Sequence, residues 1–258
     1  MRRGSTLFAI VLAGGVAAAL FAVQRASAGM VVARQTQPAP ELIARGEELY
    51  LTGCVSCHGT GGAGTNLAPT LVNVGAASAD FYLTSGRMPA AQPEPFQPPR
   101  KQPAYTPDEI DALVAYVASL GEGPAIPDVN IAGADVARGG VLYRANCAAC
   151  HQSAGAGGAL SYGNSAPPLK DATSTQVVEA MRIGPGQMPV FNDTTMPAED
   201  ATNIAAYVEY LHAPNDRGGE ALGGNGPVPE GLVALLVGLG GLVAISVWIV
   251  GVRRGLRT

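Results

Sequence analysis

All four cysteines of this 258-residue chain, and two of its three histidines, lie in two pentapeptides of one design, Cys54-Val55-Ser56-Cys57-His58 and Cys147-Ala148-Ala149-Cys150-His151. On a helical turn, positions i, i+3 and i+4 share a face, so each pentapeptide presents two sulfurs and an imidazole together. Two thiols so placed can add to the vinyl groups along one porphyrin edge while the ring reaches the iron, which is how c-type haem is attached. The spacing therefore predicts two covalently bound haem c groups, through Cys54 and Cys57 and through Cys147 and Cys150, with His58 and His151 as iron ligands. A thioredoxin-like redox pair or a zinc held by two knuckles would also use paired cysteines, but neither calls for a histidine after each pair.

The chain also repeats itself. Ala44-Arg45-Gly46 and Tyr50 ahead of the first motif recur as Ala137-Arg138-Gly139 and Tyr143 ahead of the second, at the offset that relates the cysteines. Downstream, Ala68-Pro69-Thr70-Leu71 recurs as Ala166-Pro167-Pro168-Leu169, and Ile110, Tyr116, Val117 and Leu120 recur as Ile204, Tyr207, Val208 and Leu211. Such self-similarity marks internal duplication.

Each unit reads as helix, haem motif, Gly-rich loop, short helix, methionine loop and closing helix, an all-α plan. Thr106-Pro107-Asp108-Glu109 supplies a cap, a proline for the first helical position and a glutamate to complete the box. Ile110, Leu113, Tyr116, Val117 and Leu120 then fall on one stripe. Pro197 and Glu199 open the corresponding helix of the second unit. Units of roughly 75 to 80 residues stand near the lower limit for an independent core. A buried macrocycle would supply the missing apolar volume.

A haem iron held by histidine needs a sixth ligand, and methionine is the partner that raises the potential. Met88, in Gly86-Arg87-Met88-Pro89, is the first unit's candidate. The second unit offers Met181, Met188 and Met196. Met181 falls within a helical stretch and Met196 abuts a helix start, whereas Met188 in Gly186-Gln187-Met188-Pro189 repeats the surroundings of Met88, so Met188 is expected to be the ligand. Pro69 and Pro167 read as turn prolines, and they also resemble the proline of cytochromes c, a likeness that implies a backbone carbonyl accepting the histidine's second ring N–H. Tyr50 and Tyr143 are expected beside the macrocycle, the glycine runs after each motif are expected to be turns, and His212 reads as a solvated helix end.

Residues 231–252 carry no charge, enough to cross a bilayer, and Arg253, Arg254 and Arg257 follow. This puts the C-terminus in the cytoplasm, the haem units on the outer side and the chain in the cell membrane, in contact with lipid. Residues 1–28 hold an apolar stretch behind Arg2 and Arg3 and read either as a signal peptide cleaved after Ala26-Ser27-Ala28 or as a retained anchor. All 20 acidic residues lie within 29–230 with ten Lys or Arg, a formal charge of −10. That surface excludes nucleic-acid binding and suits solubility or the steering of a basic partner. The expected organisation is 1–28 anchor or signal, 41–121 first haem unit, 122–136 linker, 137–212 second haem unit, 213–230 linker, 231–252 transmembrane helix and 253–258 cytoplasmic tail. Residues 90–104, rich in proline, form an insertion that the second unit lacks, read as a stiff spacer or docking edge.

Two tandem class I cytochrome c units, Arg87-Met88-Pro89 in one and Gly184-Pro185-Gly186-Gln187-Met188-Pro189-Val190-Phe191 in the other, with a C-terminal anchor ending in arginines, resemble the dihaem cytochrome cc subunits of actinobacterial menaquinol–cytochrome c reductases. The resemblance implies a subunit of a quinol–cytochrome c reductase with no substrate chemistry of its own. It implies partners in cytochrome b and the Rieske iron–sulfur subunit, and delivery of electrons to the dinuclear copper centre of an attached aa3-type terminal oxidase. Other readings are the dihaem subunit of a cbb3-type oxidase or of a membrane dehydrogenase, and a dihaem peroxidase. The last needs an exchangeable iron position and distal acid–base groups.

Overall fold

The computed structural model describes residues 40–92, 97–214 and 227–255. The N-terminal apolar segment, Pro93 and Pro95 of the insertion, most of the 213–230 linker and residues 256–258 lie outside the described residues.

The first unit begins with α1 (Pro40–Gly53), which runs through Cys54 into the single turn α2 (Val55–His58). After the glycine loop come α3 (Gly75–Thr84) and α4 (Pro107–Ser119). The expected cap is present: the Thr106 backbone N–H and hydroxyl both donate to the Glu109 carboxylate at 2.9 Å, and Pro107 stands at the first turn. The apolar stripe of α4 is buried from Ile110 to Val117, against Tyr50 of α1 and Leu83 of α3.

The second unit repeats the order with α5 (Val136–Asn146), α6 (Ala148–His151), α7 (Ser174–Ile183) and α8 (Ala198–His212). Asp135 caps α5 by accepting from the Arg138 backbone N–H at 2.9 Å. Pro197 sits at the N-cap of α8 rather than inside it. The all-α expectation needs one amendment. A two-residue antiparallel ladder, β1 (Gly158–Ala159) against β2 (Ser165–Ala166), stands in the loop after the motif. From histidine to proline that loop spans 16 residues, against 11 in the first unit. The extra length folds on itself, closed by Leu160 N–H donating to the Asn164 carbonyl at 2.8 Å.

The recurrent Ala-Arg-Gly is explained where helices cross. A Cβ built on Gly46 would lie 1.9 Å from the Ala112 carbonyl oxygen, and one on Gly139 1.9 Å from that of Asn203. Only glycine lets α1 lie on α4 and α5 on α8 at that separation. Beside the second crossing, Arg138 forks onto Asp200 at 2.6 and 2.9 Å.

The units touch through α3 and α7, where the Gln176 amide donates to Thr84 Oγ1 at 2.9 Å. Residues expected to be a free linker are pinned at both ends. The Ala77 N–H donates to the Pro124 carbonyl at 3.0 Å, while Val129 and Ile131 pack on the second core. The described part of the insertion, 97–104, has no regular structure and is tied back by Lys101 N–H on the Ser85 carbonyl, 3.2 Å.

At the C-terminal end, α9 (Pro227–Val233), a π-helical stretch (Ala234–Leu239) and α10 (Gly240–Gly255) run on as one rod. Pro229–Val252 forms a 24-residue candidate span of mean hydropathy 2.5, none of it buried against the rest of the chain. At 1.5 Å per residue it is about 36 Å long, against a hydrocarbon core of about 30 Å.

Candidate functional site

In both units the cysteine motif forms one tight turn. His58 N–H donates to the Cys54 carbonyl and His151 N–H to the Cys147 carbonyl, each at 2.9 Å. The two thiols and the imidazole of each motif are thereby held on neighbouring positions. A tyrosine from the preceding helix locks the residue that follows: Tyr50 OH donates to the Gly59 carbonyl at 2.6 Å and Tyr143 OH to the Gln152 carbonyl at 2.7 Å. Both tyrosines are buried, Tyr50 against Tyr116 with ring centroids 5.0 Å apart and Tyr143 against Tyr207 at 5.3 Å.

Both prolines stand in irregular loop, outside any turn, with their carbonyls against the histidine rings. His58 Nδ1 lies 2.9 Å from the Pro69 carbonyl and His151 Nδ1 3.0 Å from the Pro167 carbonyl. A carbonyl can only accept, so Nδ1 carries the proton and Nε2 keeps its lone pair for a metal. Burial favours the neutral His151 ring, opposed by the Pro167 carbonyl. Burial, with Cys150 nearby, pushes the Cys147 thiol up to about 11, and Cys54 is raised by burial and Cys57. That is the reverse of the lowered pKa used by a thiol–disulfide nucleophile. Among the described residues no three His, Cys, Asp or Glu side chains converge, as one zinc between the two cysteine pairs would require.

Met88 packs on the first core together with Cys54 and Val55, and Met188 on the second together with Cys147 and Ala148. In the second unit Cys147, Cys150, His151 and Met188 line one cleft that is partly open to solvent. Leu160, Val177, Phe191, Ile204 and Val208 supply much of its wall, the apolar surroundings a macrocycle needs. Met181 also reaches the cleft, from within α7, and is only 2% exposed; Met196 is buried in the core below. An imidazole with a free Nε2, a thioether and two thiols on a mostly apolar wall form a donor set that fits covalent haem c.

Three features escaped the sequence. First, Phe81, Arg87, Gln97 and Arg100, which precede the second motif by some fifty residues or more, line the second unit's cleft. Second, Glu179 of α7 is 0% exposed, neither oxygen meets a hydrogen-bond donor among the described residues, and burial beside Asp80 of α3 lifts its pKa to about 9. Third, His212 is not a solvated end. Its Nε2 meets the Leu169 carbonyl at 3.0 Å and its Nδ1 lies 3.6 Å from Glu209, so it fastens the end of α8 to the loop that carries Pro167.

Comparison with known proteins places this geometry. The family "Cytochrome c" matches residues 43–121, and "Cytochrome C oxidase, cbb3-type, subunit III" matches residues 134–208. The chain is 40% identical over 252 residues, 94% of its length and 88% of the relative's, to the cytochrome bc1 complex cytochrome c subunit of Mycobacterium bovis. It is 38% identical over 93% of its length to the same subunit of Corynebacterium diphtheriae, covering 92% of that protein. The cbb3-type cytochrome c oxidase subunit CcoP of an Azospirillum species is 33% identical over 66% of this chain and 62% of its own length.

Proposed function

Since the chain belongs to the family of cytochrome bc1 complex cytochrome c subunits, whose work is electron transfer in the respiratory chain, we propose that it carries two covalent haems and forms the path from a Rieske centre to an aa3-type terminal oxidase. A haem bound in each unit supplies an iron that accepts and releases one electron. Cys54 and Cys57 hold the first and Cys147 and Cys150 the second. His58 and Met88 would ligate the first iron, and His151 and Met188 the second. The Pro69 and Pro167 carbonyls fix each imidazole's orientation and raise its basicity. A covalently joined pair of centres replaces a diffusing carrier, and the C-terminal helix keeps the pair at the membrane, with the haem units outside and the arginine-bearing end in the cytoplasm. Cytochrome b is the third partner, and the haem-bearing part works at the outer membrane face.

The observation that carries this reading is the twofold occurrence of one arrangement: motif turn, tyrosine lock, Nδ1 on a proline carbonyl, and a loop methionine packed on the same core as the first cysteine. The likeness to a cbb3-type subunit covers 66% of the chain at 33% identity, against 94% at 40% for the bc1 complex subunit.

The test is a set of variants in the purified complex. The unaltered chain should give two haem c per polypeptide by pyridine haemochrome. Met88→Ala and Met188→Ala should each keep both haems but lower one midpoint potential, while Met181→Ala should leave both potentials in place. Replacing Cys147 and Cys150 with serine should remove one haem and stop quinol-driven oxygen consumption. One haem in the unaltered chain, or undiminished oxygen consumption after that replacement, refutes the two-centre path.

A further inference from the structure

We propose that Arg87 and Arg100, both residues of the first unit, hold the propionate carboxylates of the haem attached to the second unit. The inference rests on the two-haem reading above and adds a ligand contact between units.

The Arg87 side chain is 4% exposed, and its Nε and Nη1 have no hydrogen-bond partner among the described residues. Its guanidinium lies 5.2 Å from the centroid of the Phe81 ring, which offers a quadrupole but no acceptor oxygen. A buried cation without an anion is costly, and buried charges are found paired. Arg100 is half-buried and gives one N–H to the Gln176 carbonyl oxygen, leaving the rest of its five donors for another acceptor. Both arginines line the cleft that holds Cys147, Cys150, His151 and Met188, and the lining contains no Asp or Glu. Gln97 brings a third orphaned donor, its Nε2, to the same wall.

Two guanidiniums therefore face a cleft with no protein carboxylate. Burial and the nearby Arg100 both oppose the charge on Arg87, while Arg100 has some support from Asp171, which lies outside the cleft lining. Haem c supplies what is missing. Its vinyl edge is taken by the cysteines, and its two propionates, one charge each, project from another edge of the ring. Arg binds carboxylates through paired N–H donors at short distance. Because Arg87 directly precedes Met88, the loop that presents the first haem's thioether also grips the second haem's carboxylates. The pair of centres is thus braced by one short stretch of backbone.

The experiment uses the full-length chain matured in its complex, with Arg87→Gln, Arg100→Gln and the charge-retaining Arg100→Lys. Haemochrome counts, redox titration resolved by haem, and resonance Raman of the propionate bending modes are read on each. Two haems should remain attached in all. Loss of a positive charge beside an anionic haem favours its oxidised form, so both glutamine variants should lower the second haem's potential, shifting its oxidised-to-reduced ratio about tenfold at fixed poise. The propionate mode should move with it, and Arg100→Lys should restore the potential. If one glutamine variant fails to fold, the other carries the same test. Two haems with an unmoved propionate mode and potential overturn the arginine contact alone. A single haem in the unaltered chain overturns the two-haem reading and the contact with it.

Discussion

Glu179 faces a carboxyl where most buried acids face a base. Burial and the negative field of Asp80 raise its pKa from 4.5 to about 9, and burial raises Asp80 as well, opposed by the hydrogen bond from Glu179 and aided by Asp111. As two carboxylates neither could donate to the other; with Glu179 protonated, its O–H has Asp80 as acceptor. Between pH 4.5 and 9 the folded chain therefore holds a proton that the unfolded chain has lost, so stability falls as pH rises through that window. Glu179→Gln should raise the melting temperature at pH 8 by several degrees, with the gain shrinking to nothing below about pH 4.5; an equal gain at both pH values would mean the effect is packing, not charge. None of this was legible in the sequence. A glutamate amid Val177, Val178 and Ala180 gives no sign of what stands across from it, and Asp80 lies about a hundred residues away. The turn that groups each motif's histidine and cysteines was legible because it is local, closed within five consecutive residues.

Helices behaved as their sequence pattern predicted, because stripe, cap and stop are short-range signals. The duplicated glycines carried a message that needed the crossing geometry to decode. A methyl added at Gly46 or Gly139 would overlap a backbone carbonyl, which cannot swing aside as a side chain can. Gly46→Ala and Gly139→Ala should each cost about 1–3 kcal/mol or more through forced separation of the helix pair, and calorimetry of the haem-loaded chain would register it. Alanine has the higher helix propensity, so a rise in melting temperature would show that the crossing tolerates the wider spacing. The small ladder at Gly158–Ala159 escaped prediction for a different reason. Two-residue strands have no periodicity to read, and this pair exists only because a longer loop had to close on itself. His212 was misjudged because its acceptor, the Leu169 carbonyl, is backbone, and no side-chain pattern announces a carbonyl.

At the scale of the whole chain, the organisation depends on the join between the units, and Gln176 stands at its centre. This side chain is 5% exposed and does three things: its amide reaches Thr84 across the join, its carbonyl oxygen accepts from Arg100 of the insertion, and that oxygen also lies 3.3 Å from the Thr173 N–H, closing the cap of α7. Proline content in 90–104 suggested a spacer or a docking edge, and the described residues 97–104 lean towards the second unit of the same chain. Gln176→Leu keeps the volume but leaves the Arg100 donor and the Thr173 N–H without that acceptor, at a cost of about 0.5–1.5 kcal/mol for each hydrogen bond lost by these partly exposed groups. Calorimetry should then register a lower melting temperature by about 2–4 °C per kcal/mol lost. Cleavage by proteinase K within residues 122–135 should accelerate, since Pro124 and Ile131 hold that segment only while both cores stay together. Unchanged melting and cleavage would mean that the two units are joined by the chain alone, with the α3 and α7 contact adding no rigidity. The stakes are functional, because electron transfer between fixed centres depends on a separation that only a stiff join can keep.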